Sequence, residues 1–221
     1  LFEVSFGGSK GRTNREWRLI AADGSKDRKL TLPEHFAPLG FIKDGLSLYG
    51  THEVENKSQL AIVPLDADKP TLIISLKTGI RFALISPDGS RFALLADPRP
   101  ADSLVDTRTV VESDKTSLYV VDRDGSNGRW WCPGLTSISS LAWSGDSSTI
   151  AVLSQTPKLG YHYVQSFLDV CTGSSVRRVA EIPNAASGIA WTAGGKELAF
   201  ISTTTQVITP DHVWTVPLIG G

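Results

Sequence analysis

Leu84-Ile85-Ser86-Pro87-Asp88-Gly89-Ser90-Arg91-Phe92-Ala93-Leu94-Leu95-Ala96 decides the fold. An apolar stretch ends in a large residue, an Asp-Gly turn follows, and a second apolar run leaves the turn at once. Runs of this kind read as the two arms of an antiparallel hairpin, because glycine reaches the positive φ that a tight reversal needs. The unit recurs as Gly40-Phe41-Ile42-Lys43-Asp44-Gly45, as Ala142-Trp143-Ser144-Gly145-Asp146-Ser147 and as Ala190-Trp191-Thr192-Ala193-Gly194-Gly195. With Gly45, Gly89, Ser147 and Gly195 taken as equivalent, the intervals are 44, 58 and 48 residues. They bracket the ~40–50-residue period of propeller blades.

Each repeat encodes further strands. Thr149–Leu153 and Glu197–Ile201 follow their turns directly, and a third run comes later as Leu60–Val63, Leu118–Val121, Phe167–Val170 and Val213–Val216. A second turn closes that run, such as Arg123-Asp124-Gly125-Ser126 or Cys171-Thr172-Gly173-Ser174, and a weaker fourth run ends most units. No segment holds a 3.6-residue apolar period long enough for a helix. The expectation is an all-β propeller of about four to five blades, each a four-stranded antiparallel sheet. The repeats divide as a partial blade over 1–32, blades over 33–78, 79–136 and 137–184, and a partial blade over 185–221. Phe41, Leu84, Trp143 and Trp191 are expected at equivalent places, with Trp143 and Trp191 as core fillers. Pro64 and Pro217 share a site near the end of the third strand, matched to Val170 elsewhere, and are expected just past the last ladder pair. The ragged ends and the lack of methionine fit an excerpt of a larger propeller, with five-bladed closure as the alternative.

Composition removes several function classes. The chain has 221 residues, 41% of them apolar, which is ample for a core. Its 22 basic and 23 acidic side chains leave a net charge of −1, so no basic surplus exists to neutralise nucleic-acid phosphates. No apolar run approaches the ~18 residues of a membrane-spanning helix. The two cysteines fit no zinc spacing, and Cys132 and Cys171 read as free thiols within strands. No motif fixes the compartment, and the reading leans to the cytoplasm.

Short turns join first to second and third to fourth strands, whereas the second-to-third connections are long: Gly7–Glu16, Asp97–Ser117, Gln155–Val164 and Ser202–His212. In an antiparallel blade these long loops share one face, which is the expected functional face. Asp97–Ser117 is either a solvated loop or a docking arm, in which Leu104, Val105, Val110 and Val111 would be buried against a partner. Its acidic residues lack the spacing of a calcium loop. Tyr161-His162-Tyr163 clusters polar aromatics in another long loop, as either plain surface or a substrate-facing patch.

Other chemical-looking strings carry less. Gly7-Gly8-Ser9-Lys10-Gly11 matches the nucleophile-elbow string, but no parallel sheet or helix surrounds it, so Ser9 reads as part of a hairpin loop. His35, His52, His162 and His212 fall in separate units without paired spacing, as surface histidines do. Trp17 and Trp214 recur in the third strand as core fillers, and one of Trp130 and Trp131 is expected to face outward. Asn56-Lys57-Ser58 is a glycosylation sequon of a kind that arises by chance. No metal ligand set and no cofactor motif stands out.

Ser86-Pro87-Asp88-Gly89-Ser90-Arg91-Phe92-Ala93 resembles the blade motif of propellers in prolyl oligopeptidase-family serine peptidases. Asp211–Gly221 is similar to the blade ending of acylaminoacyl-peptidase and dipeptidyl-peptidase members, and Asp169-Val170-Cys171-Thr172-Gly173 with Arg177-Arg178-Val179 resembles their D-x-x-T-G turn. The resemblance implies a propeller that caps an α/β-hydrolase catalytic domain and restricts its access to short peptides. It transfers no catalytic residue, because the triad belongs to a hydrolase domain outside these residues. Leu104, Val105, Tyr161, His162 and Tyr163 become the expected gating or domain-contact residues. The alternative is a non-catalytic binding or scaffold propeller, since the Tol-system propeller shares the same string.

Overall fold

The computed structural model describes residues 2–7, 13–21, 23–55, 57–66, 69–76, 79–97, 116–156, 165–202 and 212–218. Among them it forms eighteen strands and no helix. The first sheet is three-stranded: β1 (Phe2–Gly7), β2 (Thr13–Leu19) and β3 (Arg28–Leu30). The second holds β4 (Phe36–Phe41), β5 (Ser47–Val54), β6 (Lys57–Pro64) and β7 (Thr71–Leu76). The third holds β8 (Ile80–Ile85), β9 (Arg91–Ala96), β10 (Ser117–Asp122) and β11 (Arg129–Trp131). β12 (Ile138–Trp143), β13 (Ile150–Gln155), β14 (Ser166–Thr172) and β15 (Ser175–Ile182) make the fourth. The fifth, of β16 (Ala186–Trp191), β17 (Glu197–Ser202) and β18 (His212–Pro217), is three-stranded.

Every pairing is antiparallel between sequence neighbours, as hairpin turns require. A single sheet cannot cover both of its faces, so consecutive sheets stack, and the core is divided among the seams between them. Leu30, Phe36, Leu48 and Val63 fill the first seam. Tyr49, Leu60, Phe92 and Leu94 fill the second, Trp131, Trp143, Ile150 and Val152 the third, and Leu153, Leu168, Leu198 and Phe200 the fourth. β9 and β13 are buried along nearly their whole length because sheets cover both of their faces. The first strands lie innermost, β4 against β8 and β12 against β16. Each of these four carries a register shift, which adds twist where the sheets converge. This is a β-propeller architecture.

Several expectations change. The turn-closing bonds align Ile42, Ser86, Ser144 and Thr192, so Ile85 and not Leu84 matches Phe41, Trp143 and Trp191. The difference arises because apolar residues occupy both positions in that strand, and only the ladder (Ile85 opposite Phe92) sets the register. Pro64 and Pro217 lie on the last rung, opposite Ser47 and Glu197, rather than past it. The equivalent residue in the fourth sheet is therefore Thr172, not Val170. Trp214 is not core: it is 44% exposed, on a sheet with no fourth strand among the described residues.

The cysteines are also not free. Cys132, just after β11, and Cys171, in β14, form a disulfide across the third seam, with Cα atoms 6.0 Å apart. They are 39 residues apart in sequence, and only the stacking of two sheets brings them together.

Candidate functional site

Each inner strand ends in a turn of stereotyped chemistry. The N–H of Gly45, Gly89, Ser147 and Gly195 donates to the carbonyl three residues back, at 2.8, 2.8, 2.9 and 3.0 Å. All four have positive φ, between 60° and 78°, which explains glycine at three of them. Ser147 holds this conformation at a cost of roughly 1–3 kcal/mol. Its neighbours in the third sheet offset that cost: Asp88 N–H donates to Ser147 Oγ at 3.1 Å, and Arg91 donates to the Ser147 carbonyl.

An aspartate stands one residue before the positive-φ position in three of the turns. Its carboxylate accepts the backbone N–H two residues on: Leu46 to Asp44 at 2.8 Å, Ser90 to Asp88 at 3.0 Å, Ser148 to Asp146 at 3.0 Å. The hydroxyls of Ser86 and Ser144 donate to Asp88 and Asp146, both at 2.6 Å. These donors, with the serine hydroxyls first, hold the Asp88 and Asp146 carboxyls below the usual carboxylate range. In the fourth turn Gly194 occupies the aspartate position.

Side chains lock adjacent sheets just behind the turns. Trp143 Nε1 donates to the Leu84 carbonyl at 3.2 Å, and Trp191 Nε1 donates to the Ala142 carbonyl at 3.0 Å. The same latch thus closes two successive seams. Ile85, at the equivalent place, has no side-chain donor. In the second seam Tyr49 engages the Ile85 backbone instead, and its ring lies so close over Gly40 that a Cβ there would come within 2.8 Å. Arg91 sits 5.1 Å from the Trp143 ring and 5.7 Å from Trp131, which packs edge-on against Trp143.

The turns surround an open cavity of about 1220 Å³. Phe41, Trp143 and Trp191 supply aromatic surface to it, with Leu84, Val170 and Leu218. Lys43, Asp146 and Arg177 are the charged side chains on its wall. Lys43 and Arg177 outnumber the ionised Asp146, so the charge on the wall is net positive. The Ser86 and Ser144 hydroxyls donate to aspartates, and that of Thr192 donates to the Glu197 carbonyl at 3.2 Å. These three hydroxyls are therefore committed within their own turns.

The cavity is lined by the short turns that join first to second strands, whereas the long connections that the sequence singles out fall largely outside the described residues. Leu104, Val105, Tyr161, His162 and Tyr163 lie outside the described residues, as do Ser9, Asn56, Val110 and Val111. His35, His52 and His212 stand away from the cavity. The recurrence of a tryptophan ahead of the turn was the available signal for this site. Of the two tryptophans expected as core fillers, Trp143 is buried and Trp191 is half-buried on the cavity wall.

No family model matches the chain, and no curated protein matches it. Solved structures do. The β-propeller domain of the Trilobed protease from Pyrococcus furiosus aligns over 99% of this chain and 65% of its own, at 10% identity and TM-score 0.64. An acylaminoacyl peptidase in complex with Z-Gly-Gly-Phe-chloromethyl ketone aligns over 97% of this chain and 36% of its own, at 11% identity and TM-score 0.65. TolB from Acinetobacter baumannii aligns over 91% of this chain and 46% of its own, at 14% identity and TM-score 0.60. The chain thus spans less than two thirds of each of these proteins. At such identities the likeness establishes the propeller fold.

Proposed function

We propose that residues 1–221 are the propeller part of a prolyl oligopeptidase-like serine hydrolase, controlling how short peptides reach an α/β-hydrolase domain that lies outside these residues. Support comes from the peptidase-type turn motif at Ser86–Ala93 and from the propeller fold shared with two proteases. The observation that carries the reading is the aromatic-walled cavity where the inner strands converge, large enough for a short peptide. On this reading the division into 1–32, 33–78, 79–136, 137–184 and 185–221 reflects five blades. Leu104, Val105 and Tyr161–Tyr163 then face the catalytic domain or the passage to it. The propeller supplies walls and anchors, and chemistry belongs to the other domain.

The protein carrying this chain, isolated with an antibody against it, should react with a fluorophosphonate. Its mass should exceed 23.8 kDa by roughly 40 kDa, the size of a ~250-residue hydrolase domain with further propeller. Ala193→Trp, which places a bulky ring on the cavity wall, should slow hydrolysis of a tripeptide substrate without slowing fluorophosphonate labelling. The likeness to TolB favours a second reading, a binding propeller without a hydrolase partner. A carrier protein that never labels decides for that reading.

A further inference from the structure

The seam between the third and fourth sheets gathers unfavourable features around one covalent bond. The Cys132–Cys171 disulfide crosses it, and Cys132 holds φ at 52°, a left-handed conformation that costs any residue with a side chain. Trp131 precedes Cys132, and its indole N–H is buried without a hydrogen-bond partner among the described residues. Asp169 lies two residues before Cys171 on the same face of β14, and its Oδ2 is likewise buried and unpartnered among them. Such atoms are costly away from water, so both favour a looser, hydrated seam.

The same bond lies directly behind the cavity. Cys171 stands between Val170 and Thr172, which are both on the cavity wall. Trp131 packs edge-on against the wall residue Trp143, with ring centroids 6.1 Å apart. Cys132 N–H donates across the seam to the Gly173 carbonyl at 3.0 Å. Both cysteines are buried, yet Pro133, Gly134 and Thr172 beside them are exposed, so the bond lies close beneath the surface.

We propose that this disulfide is a redox switch for the cavity. Oxidised, it holds the third seam shut and the wall in its binding form. Reduced by a dithiol, the seam takes up water around Trp131 and Asp169, and the wall residues Trp143 and Val170 lose their fixed places. Two electrons and two protons pass from the dithiol to the protein. The Cys132–Cys171 bond breaks, two thiols form, and the reductant closes into its own disulfide. Control of peptide binding rests on the function proposed above, whereas the opening of the seam does not depend on it.

The test compares the intact protein in its oxidised form with the same protein treated with dithiothreitol. After reduction, amide exchange should be about tenfold faster at Trp131, Cys132 and Trp143 and unchanged in β5 and β6, with the strand signal in circular dichroism retained. Calorimetric titration with acetyl-Ala-Ala-Phe amide, which is uncharged, should show about tenfold weaker binding to the reduced form. Oxidised glutathione should restore it. The double variant Cys132→Ala, Cys171→Ala should match the reduced form under both conditions. A response to reductant that persists in this variant overturns the assignment, because another group then carries it. Global unfolding on reduction also overturns it, since the bond is then a staple, and so does equal exchange in both forms. Equal peptide affinity alongside unequal exchange overturns control of the cavity. If the peptide binds neither form, the peptide reading fails, and exchange at Trp143 alone decides the switch. If the double variant does not fold, exchange in the wild type before and after reduction still decides.

Discussion

Trp143 shows how one residue serves the fold and the site together. It is buried, it donates its indole N–H to Leu84 in the preceding sheet, and it carries Arg91 over its face. Trp143→Ala should therefore cost about 3–5 kcal/mol in urea unfolding, the range of a buried aromatic truncated to a cavity. Trp143→Phe keeps much of the packing but leaves the Leu84 carbonyl without its donor, and should cost about 1–3 kcal/mol. A cost below about 1 kcal/mol for the alanine variant would remove Trp143 from the core. Two carboxylates behave oppositely with pH. Asp88 is held below its ordinary value of 3.8 by the Ser86 hydroxyl and the Ser90 N–H. Its contribution is complete above that value and is lost as the pH falls below it. Asp169 is raised by burial, which the Arg178 guanidinium at 2.5 Å only partly offsets. Its ionisation thus weakens the fold as the pH rises from 3.8 through its raised value. Asp88→Asn should consequently flatten the loss of stability below about pH 4, whereas Asp169→Asn should flatten the change on the higher side of that value. Parallel acid profiles for wild type and Asp88→Asn would show that the turn hydrogen bonds do not favour the charged form.

At the scale of the element, the disulfide gives the sharpest test. Cys132 and Cys171 tie the end of β11 to β14, and both are buried. In denaturant without reductant the oxidised chain should present no thiol to a labelling reagent, and after reduction it should present two. Closing a loop of 39 residues corresponds to about 4 kcal/mol of chain entropy, so Cys132→Ser should lower stability by a substantial part of that. Two reactive thiols in protein made in an oxidising compartment would contradict the pairing. Strands and turns were legible in the sequence because they obey local rules: apolar runs of five to eight residues, with Asp-Gly or Gly-Gly between them. The contacts that join sheets obey none. The Trp143–Leu84 and Trp191–Ala142 bonds span 59 and 49 residues, and the disulfide spans 39. No periodicity in the chain encodes those pairings. The same limit explains the one-residue shift at Leu84 and Ile85, where either choice satisfies the local pattern. It also explains why the sequence points to the long loops rather than to the cavity. Their length is visible in the sequence, whereas the convergence of four short turns on one cavity is visible only once the sheets are stacked.

For the whole molecule, stability follows from which sheets are covered. β9 and β13 lie between neighbouring sheets and are buried almost throughout, while β18 leaves His212, Val213, Trp214 and Thr215 exposed and, among the described residues, pairs only with β17. Amide protection depends on how much structure must open, so it should be graded along the stack. In residues 1–221, amides of β9 and β13 should exchange only on global unfolding, at rates that track urea stability. Those of β18 should exchange by local opening, with little sensitivity to low urea. Trp143→Ala should accelerate β9 and β13 together, because the latch couples the third and fourth sheets, and should leave β18 unchanged. Protection of β18 equal to that of β13 would mean that the fifth sheet does not fray separately. The propeller would then behave as one cooperative unit, and the gradient argued from burial would be wrong. Exchange in β9 and β13 that responds separately to Trp143→Ala would instead show that each seam is energetically independent. Such independence is the behaviour of a stack whose units contact only their neighbours weakly. The Trp143 latch, the Arg91 clamp and the disulfide all bridge the third and fourth sheets, and they argue for joint opening there.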